Sequence, residues 1–198
     1  MLGKCHSAAP QGVSARLVEV EVDAREGLGK TEVVFVGLPD TAVREARDRV
    51  RSALRNAGYA FPARVVVNLA PADLRKEGSA FDLPIAVGIL LATGQVKAPR
   101  VADHLLVGEL ALDGRVRPVR GALCMADRAA RSGRWKGIVL PLENAGEASL
   151  APGLPVRPVR TLGDAVRYLA GASEIPAFPP AAAALTEEDR PRADFAEV

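Results

Sequence analysis

Cysteine and aromatic residues are scarce in this sequence, and each scarcity excludes a class of protein. The two cysteines, Cys5 and Cys124, are too few for the disulfide framework of a small secreted domain. Together with the two histidines, His6 and His104, they do not follow the spacing of a zinc finger, so the sequence predicts no metal site. Aromatic side chains make up 4% of the 198 residues, which argues against a nucleic-acid surface built by stacking bases on aromatic rings.

The sequence also lacks long hydrophobic runs and a large excess of charge of either sign. No stretch reaches the ~18 uninterrupted apolar residues of a membrane span, and the N-terminus lacks the pattern of a secretory signal peptide. We therefore expect a cytoplasmic protein with no membrane partner. The formal net charge is +2, so any attraction to nucleic acid has to come from a local cluster of basic residues.

The order of the hydrophobic patterns predicts an α+β domain. Two β-rich segments between residues 14 and 36 predict a hairpin, and Asp113-Gly114 predicts another hairpin with a two-residue turn. Helices are predicted over 40–56, 83–92, 121–132 and 161–169, and further strands over 64–68, 137–141 and 155–159. We expect these helices to pack against one sheet within residues 1–172. Residues 173–198 are rich in Pro and Ala and predict a linker that leads into another element.

The junction at 74–94 joins a charged turn to an apolar helix without a polar face. Asp82 or Ser79 is expected to cap this helix, and Pro84 fits within its first turn. Ser79 with Lys76 is either a catalytic dyad or the polar rim of a helix start. A dyad needs a desolvated, neutral lysine, whereas the charged neighbours of Lys76 predict that it stays protonated and solvated. The rim interpretation is therefore favoured.

Residues 24–31 fit a loose phosphate-loop pattern that ends in Gly29-Lys30-Thr31. A true phosphate loop opens a helix, whose N-terminal N–H groups bind phosphate. Here Thr31 precedes a β-branched, aromatic segment that is typical of a strand. The pattern therefore predicts a hairpin turn and no nucleotide site.

The helix over 40–56 carries an arginine stripe, which we define as Arg44, Arg47, Arg51 and Arg55. At 3.6 residues per turn these four side chains lie along one edge of its apolar face, and Asp48 is the one acid close to them. Such a face is either simply solvated or binds an anionic partner, namely nucleic-acid phosphate or an acidic protein surface. It is the candidate nucleic-acid-binding site.

An ordered series of blocks resembles the N-terminal domain of the ComM/YifB family of magnesium-chelatase-like AAA+ ATPases. The resemblance covers about residues 1–170. The blocks include Val36-Gly-Leu-Pro-Asp40, Glu45-Ala-Arg-Asp-Arg-Val-Arg51, Val67-Asn-Leu-Ala-Pro-Ala-Asp73, Lys76-Glu-Gly-Ser-Ala-Phe-Asp-Leu-Pro84 and Gly108-Glu-Leu-Ala-Leu-Asp-Gly114. Asp194-Phe-Ala-Glu-Val198 resembles the lead-in to the family's AAA+ module, which these residues do not contain.

The resemblance implies a hexameric, ATP-driven motor that promotes branch migration of DNA in natural transformation. ATP and Mg²⁺ are expected in the AAA+ module and no cofactor in this part, whose implied partners are DNA, that module and further copies of the chain. The implied fold is that of the Lon protease proteolytic domain and the RadA C-terminal domain, shared with a ribosomal small-subunit protein. Matching the Lon motifs places Ala80 at the catalytic serine and Leu123 at the catalytic lysine, so this part is expected to be non-catalytic.

Two alternatives remain open from the sequence. The first is a serine peptidase that uses Ser79 and Lys76, which lie in the same turn but off the Lon positions. The second is a purely structural oligomerisation module that never touches DNA.

Overall fold

A computed structural model describes residues 2–27 and 31–180. Its strands are β1 (Leu2–Gln11), β2 (Ser14–Arg25), β3 (Glu32–Val36), β4 (Arg64–Ala70), β5 (His104–Leu106), β6 (Glu109–Leu110), β7 (Val116–Arg117), β8 (Gly137–Pro141) and β9 (Val156–Val159). Its α-helices are α1 (Thr41–Asn56), α2 (Asp82–Ala92), α3 (Ala122–Ser132), α4 (Ala145–Ala148) and α5 (Leu162–Leu169). The predicted α+β class is confirmed. The boundary predicted at residue 172 stays a prediction, and the tail beyond residue 180 lies outside the described residues.

The first half of the chain forms a four-stranded sheet with the order β1-β2-β4-β3. Strand β2 alternates buried Val18, Val20 and Val22 with more exposed acidic residues, as its sequence predicts. The hairpin predicted between β2 and β3 is wrong: β2 pairs with β1 and β4, and β3 runs parallel to β4. Alternation identifies a strand but not its partner, and the parallel pair β3–β4 needs a crossover, which α1 provides.

Helices α1 and α2 pack together, and α2 lies against β1 and β2. Helix α2 is apolar all round, as predicted, and every residue from Asp82 to Leu90 is buried. It approaches the sheet closely at Gly88, where an added Cβ would come within 2.6 Å of the Val22 Cγ2 atom. A glycine at this position therefore allows the helix to pack directly on β2.

The second half of the chain forms two smaller sheets. Strands β5, β8 and β9 run parallel in the order β5-β8-β9, and β6 pairs with β7 in a hairpin. The expectation of a single sheet is therefore wrong for the described residues. The hairpin at Asp113-Gly114 is confirmed, but residues 111–115 connect its strands, so the predicted two-residue turn is wrong. The predicted edge position of β9 is confirmed.

Two predicted helix starts have the expected caps. The Asp40 carboxylate accepts a hydrogen bond from the Val43 N–H at the start of α1. Thr161 and Asp164 form the predicted capping box of α5. Within the part of the chain that is described, none of the helices combines the length and the apolar character needed to cross a membrane.

Candidate functional site

Helix α1 presents the arginine stripe at the surface because the apolar side of the helix faces the hydrophobic core. Val43, Ala46, Val50, Ala53 and Leu54 are buried against the sheet and α2. Arg44, Arg47 and Arg55 are exposed, whereas Arg51 is half-buried. The Nε atom of Arg51 is buried and has no hydrogen-bond partner within residues 2–27 and 31–180. Three guanidinium groups therefore reach solvent along one edge of the helix.

Little acidic charge opposes this edge. The Arg47 Nε atom lies 3.1 Å from an Asp48 carboxylate oxygen, and this hydrogen bond lowers the pKa of Asp48. Asp48 therefore stays ionised at neutral pH. Among the described residues, Arg44, Arg51 and Arg55 form no ion pair. The stripe therefore keeps a net positive charge. Its electrostatic potential is reduced mainly by solvent and salt screening.

Two shallow depressions border the N-terminal half of the stripe. One, of about 300 Å³, is lined by Val33 and Phe35 of β3 and by Arg44 and Arg47. The other, of about 450 Å³, is lined by Leu38, Pro39, Asp40, Thr41, Arg44 and Arg75. Because Arg44 lines both, they form one surface on which apolar side chains lie next to arginines and Asp40.

Lys76 is buried, which corrects the expectation that it stays solvated. None of its surface is exposed, and its Nζ atom donates a hydrogen bond to the Pro71 carbonyl oxygen. Burial lowers the pKa of Lys76, although the negative charge of Asp73 acts in the opposite direction. The charged sequence neighbours Arg75 and Glu77 point to solvent and pair with each other instead. The charged sequence neighbours of Lys76 therefore predicted the wrong environment for its side chain. In an extended segment, alternate side chains face opposite sides, so Lys76 is buried while Arg75 and Glu77 are exposed.

Ser79 and Lys76 make separate hydrogen bonds. The Ser79 hydroxyl donates to a carboxylate oxygen of Glu109, whereas Lys76 is bonded to Pro71. A serine nucleophile requires a base that accepts its proton, and a buried lysine supplies one only when it lies within hydrogen-bond reach. The structure thus desolvates the lysine, as a dyad requires, but shows no hydrogen bond between Lys76 and Ser79.

Asp82 does not cap α2, and neither does Ser79; the cap position is Phe81, without a side-chain hydrogen bond. The buried Asp82 carboxylate instead accepts two hydrogen bonds from Arg49, at 2.6 and 3.0 Å, and one from the Leu110 N–H at 3.1 Å. Burial raises the pKa of Asp82, and the bonds from Arg49 oppose that effect. This ion pair fixes α1 to α2 and to β6, and so fixes the orientation of the stripe. Sequence spacing pairs Arg49 with Glu45, which lies farther away at 3.7 Å.

Ala80 and Leu123 both belong to the hydrophobic cluster beneath α3, the first as a buried member and the second packed against it. Their apolar side chains supply neither a nucleophile nor a base. Their correspondence to the catalytic residues of Lon stays a prediction.

The phosphate-loop pattern at 24–31 ends next to a strand. Leu28, Gly29 and Lys30 lie outside the described residues, but Thr31 is followed by β3 at Glu32–Val36. The strand expected after Thr31 is confirmed, and no helix begins there to bind phosphate. The hairpin turn expected at this place is wrong, since β4 separates β2 from β3.

Comparison with known proteins decides the family. The family model described as subunit ChlI of Mg-chelatase matches residues 20–144, well over half of the chain. The chain belongs to the ChlI family. Within this family it is 45% identical over 172 residues to the competence protein ComM of Haemophilus influenzae, covering 86% of this chain and 33% of that protein. The predicted ComM/YifB resemblance is therefore confirmed.

Two further relatives agree. An uncharacterised protein YifB of Escherichia coli is 48% identical over 149 residues, which are 75% of this chain and 29% of that protein. An uncharacterised protein of Mycobacterium tuberculosis is 46% identical over 173 residues, 87% of this chain and 34% of the relative. The chain thus spans about a third of the length of the curated relatives it matches.

Proposed function

We propose that this chain is the non-catalytic N-terminal domain of a ComM/YifB-type DNA motor and that it engages DNA through the arginine stripe. The observation that carries the proposal is the group of three exposed guanidinium groups on α1, opposed by Asp48 alone. Arginine binds phosphate oxygens with two parallel N–H donors and releases counterions from the nucleic acid when it does so. Arg44 and Arg55 are free of ion pairs among the described residues, and Arg47 can exchange its weak, exposed pair with Asp48 for a phosphate contact.

The wider setting is also part of the proposal. The H. influenzae relative is named a competence protein, and competence members of the family are expected to promote branch migration during natural transformation. We infer that ATP and Mg²⁺ bind in an AAA+ module that lies in the part of the relatives this chain does not span, and that the whole protein assembles as a cytoplasmic hexamer. We also infer a Lon-protease-like arrangement of the mixed sheets and helices.

The contacts around Ser79 support the non-catalytic assignment. Its hydroxyl donates to the carboxylate of Glu109 and makes no hydrogen bond to Lys76. Ala80 and Leu123, at the positions matched to the Lon dyad, add no reactive group. We therefore expect no peptidase activity, and labelling of Ser79 by a fluorophosphonate would contradict this part of the proposal.

The test is DNA binding by fluorescence anisotropy with a labelled oligonucleotide. The test variant carries Arg47→Glu and Arg55→Glu, and the control variant carries Arg128→Glu and Arg131→Glu on the exposed face of α3. Both change the net charge by the same amount, so a general charge effect is the same in each. We expect the α1 variant to bind at least ~10-fold more weakly than the α3 variant. Equal weakening, or no binding by the wild-type chain, would leave an oligomerisation module as the better account.

A further inference from the structure

Leu38 is held in a conformation that L-residues avoid, and its side chain points into solvent. Its φ angle is 54°, and it is the one non-glycine residue with positive φ in the described part of the chain. Its side chain is nevertheless 56% exposed, and the nearby Val36 is 48% exposed. Strained backbone persists where the surroundings enforce it, and such residues concentrate at functional sites. Packing among the described residues does not account for the exposure of this apolar side chain.

The backbone around Leu38 is held firmly by the segment that contains Lys76. The Lys76 N–H donates to the Leu38 carbonyl oxygen at 3.1 Å, and the Asp40 N–H donates to the Lys76 carbonyl oxygen at 3.0 Å. The Gly78 N–H donates to the Asp40 carboxylate at 3.1 Å. At Gly37 an added Cβ would collide with the Leu69 carbonyl oxygen, so the chain passes close to β4 before it turns outward. Leu38 is therefore a preorganised apolar projection.

This projection follows directly after β3, which is an edge strand of the four-stranded sheet. Within the described residues β3 pairs only with β4, so its other edge has backbone donors and acceptors that no strand uses. Two depressions lie beside it: Phe35 and Arg44 line the first, and Leu38, Asp40, Arg44 and Arg75 are among the residues that line the second. An added strand takes its affinity from main-chain hydrogen bonds and its specificity from pockets for alternate side chains.

We propose that β3 and Leu38 form a docking site for an extended protein segment in which acidic and aliphatic residues alternate. Charge complementarity selects this occupant, because Arg44 lines both depressions and forms no ion pair among the described residues. The Asp40 carboxylate beside it already accepts hydrogen bonds from the Val43 and Gly78 N–H groups. Arg75 pairs only with its exposed neighbour Glu77, and an exposed pair of this kind contributes little energy. A second copy paired through the same edge would bring two sets of arginines together. Phosphate groups of a nucleic acid would leave Leu38 and Val36 uncovered. The site therefore fits an acidic peptide.

This inference stands apart from the proposed DNA contact. The two sites share Arg44 and Arg47, but Arg55 lies eleven residues beyond Arg44 along α1, which is about 16 Å at 1.5 Å per residue. Variants at Leu38 and at Arg55 therefore separate the two proposals.

The test uses the full 198-residue chain and a fluorescein-labelled synthetic peptide, acetyl-Glu-Val-Asp-Val-Glu-Val-Asp-amide. Peptides with Lys in place of the acids, or Ser in place of Val, are the ligand controls. We expect the acidic apolar peptide to bind about 10-fold more tightly than either control, with the largest amide shift changes in ¹⁵N spectra at residues 32–39.

Leu38→Gly is the decisive variant, because glycine tolerates positive φ and removes the projection without adding strain. We expect a melting temperature equal to or above that of the wild type, peptide binding weakened about 10-fold, and unchanged DNA binding. Leu38→Asn, which also tolerates the left-handed region, should behave in the same way. Leu150→Gly is the matched control, since Leu150 is equally exposed at 56%.

Three results would overturn the inference. The first is peptide binding that Leu38→Gly leaves unchanged or that Leu150→Gly weakens equally. The second is the absence of binding at millimolar peptide. The third is a Leu38→Gly chain that loses DNA binding or self-association instead, which would assign the surface to nucleic acid or to a second copy.

Discussion

Removing one partner of the ion pair between Arg49 and Asp82 should be strongly destabilising, because it leaves the other partially or fully buried charge uncompensated at a point where three elements meet. The Asp82 carboxylate is fully buried and accepts two hydrogen bonds from Arg49 and one from the Leu110 N–H. Asp82→Asn removes the negative charge and leaves the guanidinium facing a neutral amide. Breaking a buried pair by removing one partner costs about 3–5 kcal/mol, and the partial exposure of Arg49 favours the lower end.

A loss of about 3 kcal/mol lowers the melting temperature of a domain of this size by about 6–12 °C, at 2–4 °C per kcal/mol. The assay is urea unfolding followed by the fluorescence of Trp135, the single tryptophan, which is 8% exposed. Trp135 belongs to the second hydrophobic cluster, so circular dichroism has to give the same midpoint before a two-state free energy is extracted.

A double-mutant cycle isolates the interaction itself. We expect Asp82→Asn and Arg49→Gln to be costly separately and less costly together, with a coupling energy of at least ~1.5 kcal/mol. A cost below ~1 kcal/mol for Asp82→Asn would refute the reasoning. It would mean that the negative charge of Asp82 adds little to the interaction with Arg49.

Two further predictions concern packing and pH. Gly88→Ala should lower the free energy of unfolding by about 1–3 kcal/mol, because the new Cβ would overlap the Val22 side chain. A stability equal to that of the wild type in the same urea assay would show that α2 can move away from the sheet. His104 forms hydrogen bonds with the Tyr168 hydroxyl and the Arg100 carbonyl oxygen, and burial lowers its pKa. The unfolded chain therefore binds a proton at this histidine more tightly than the folded chain does. As a result, the free energy of unfolding falls as the pH drops below ~6.5. His104→Gln should therefore lose less stability than wild type between pH 7.5 and 5, and equal losses would contradict a neutral buried histidine.

Local signals in the sequence predict most of the elements. The apolar alternation of β2, the uniformly apolar α2 and the Thr161 capping box are each a property of a few neighbouring residues, and each was found as predicted. The arginine stripe is also local, because helical spacing alone puts its members on one edge.

Local sequence patterns did not predict the contacts between residues that are far apart in the chain. The pairing of β2 with β1 and β4 depends on which strands are adjacent in the sheet. The backbone of Lys76 is bonded to Leu38 and Asp40, more than thirty residues earlier in the chain. The partner of Arg49 lies 33 residues away. The same long-range contacts hold Leu38 at a positive φ angle, and no local pattern in the sequence predicts that conformation.

The salt dependence of DNA binding tests the central claim most directly. Each phosphate contact adds about 0.9 to the slope of log K against log salt for duplex DNA and about 0.7 for single strands. Removing Arg47 and Arg55 by substitution with Glu should therefore reduce the magnitude of the slope by about 1.4–1.8, while Arg128→Glu with Arg131→Glu should leave it unchanged. A slope that is the same for the wild type and the α1 variant would show that the arginine stripe does not contact phosphate.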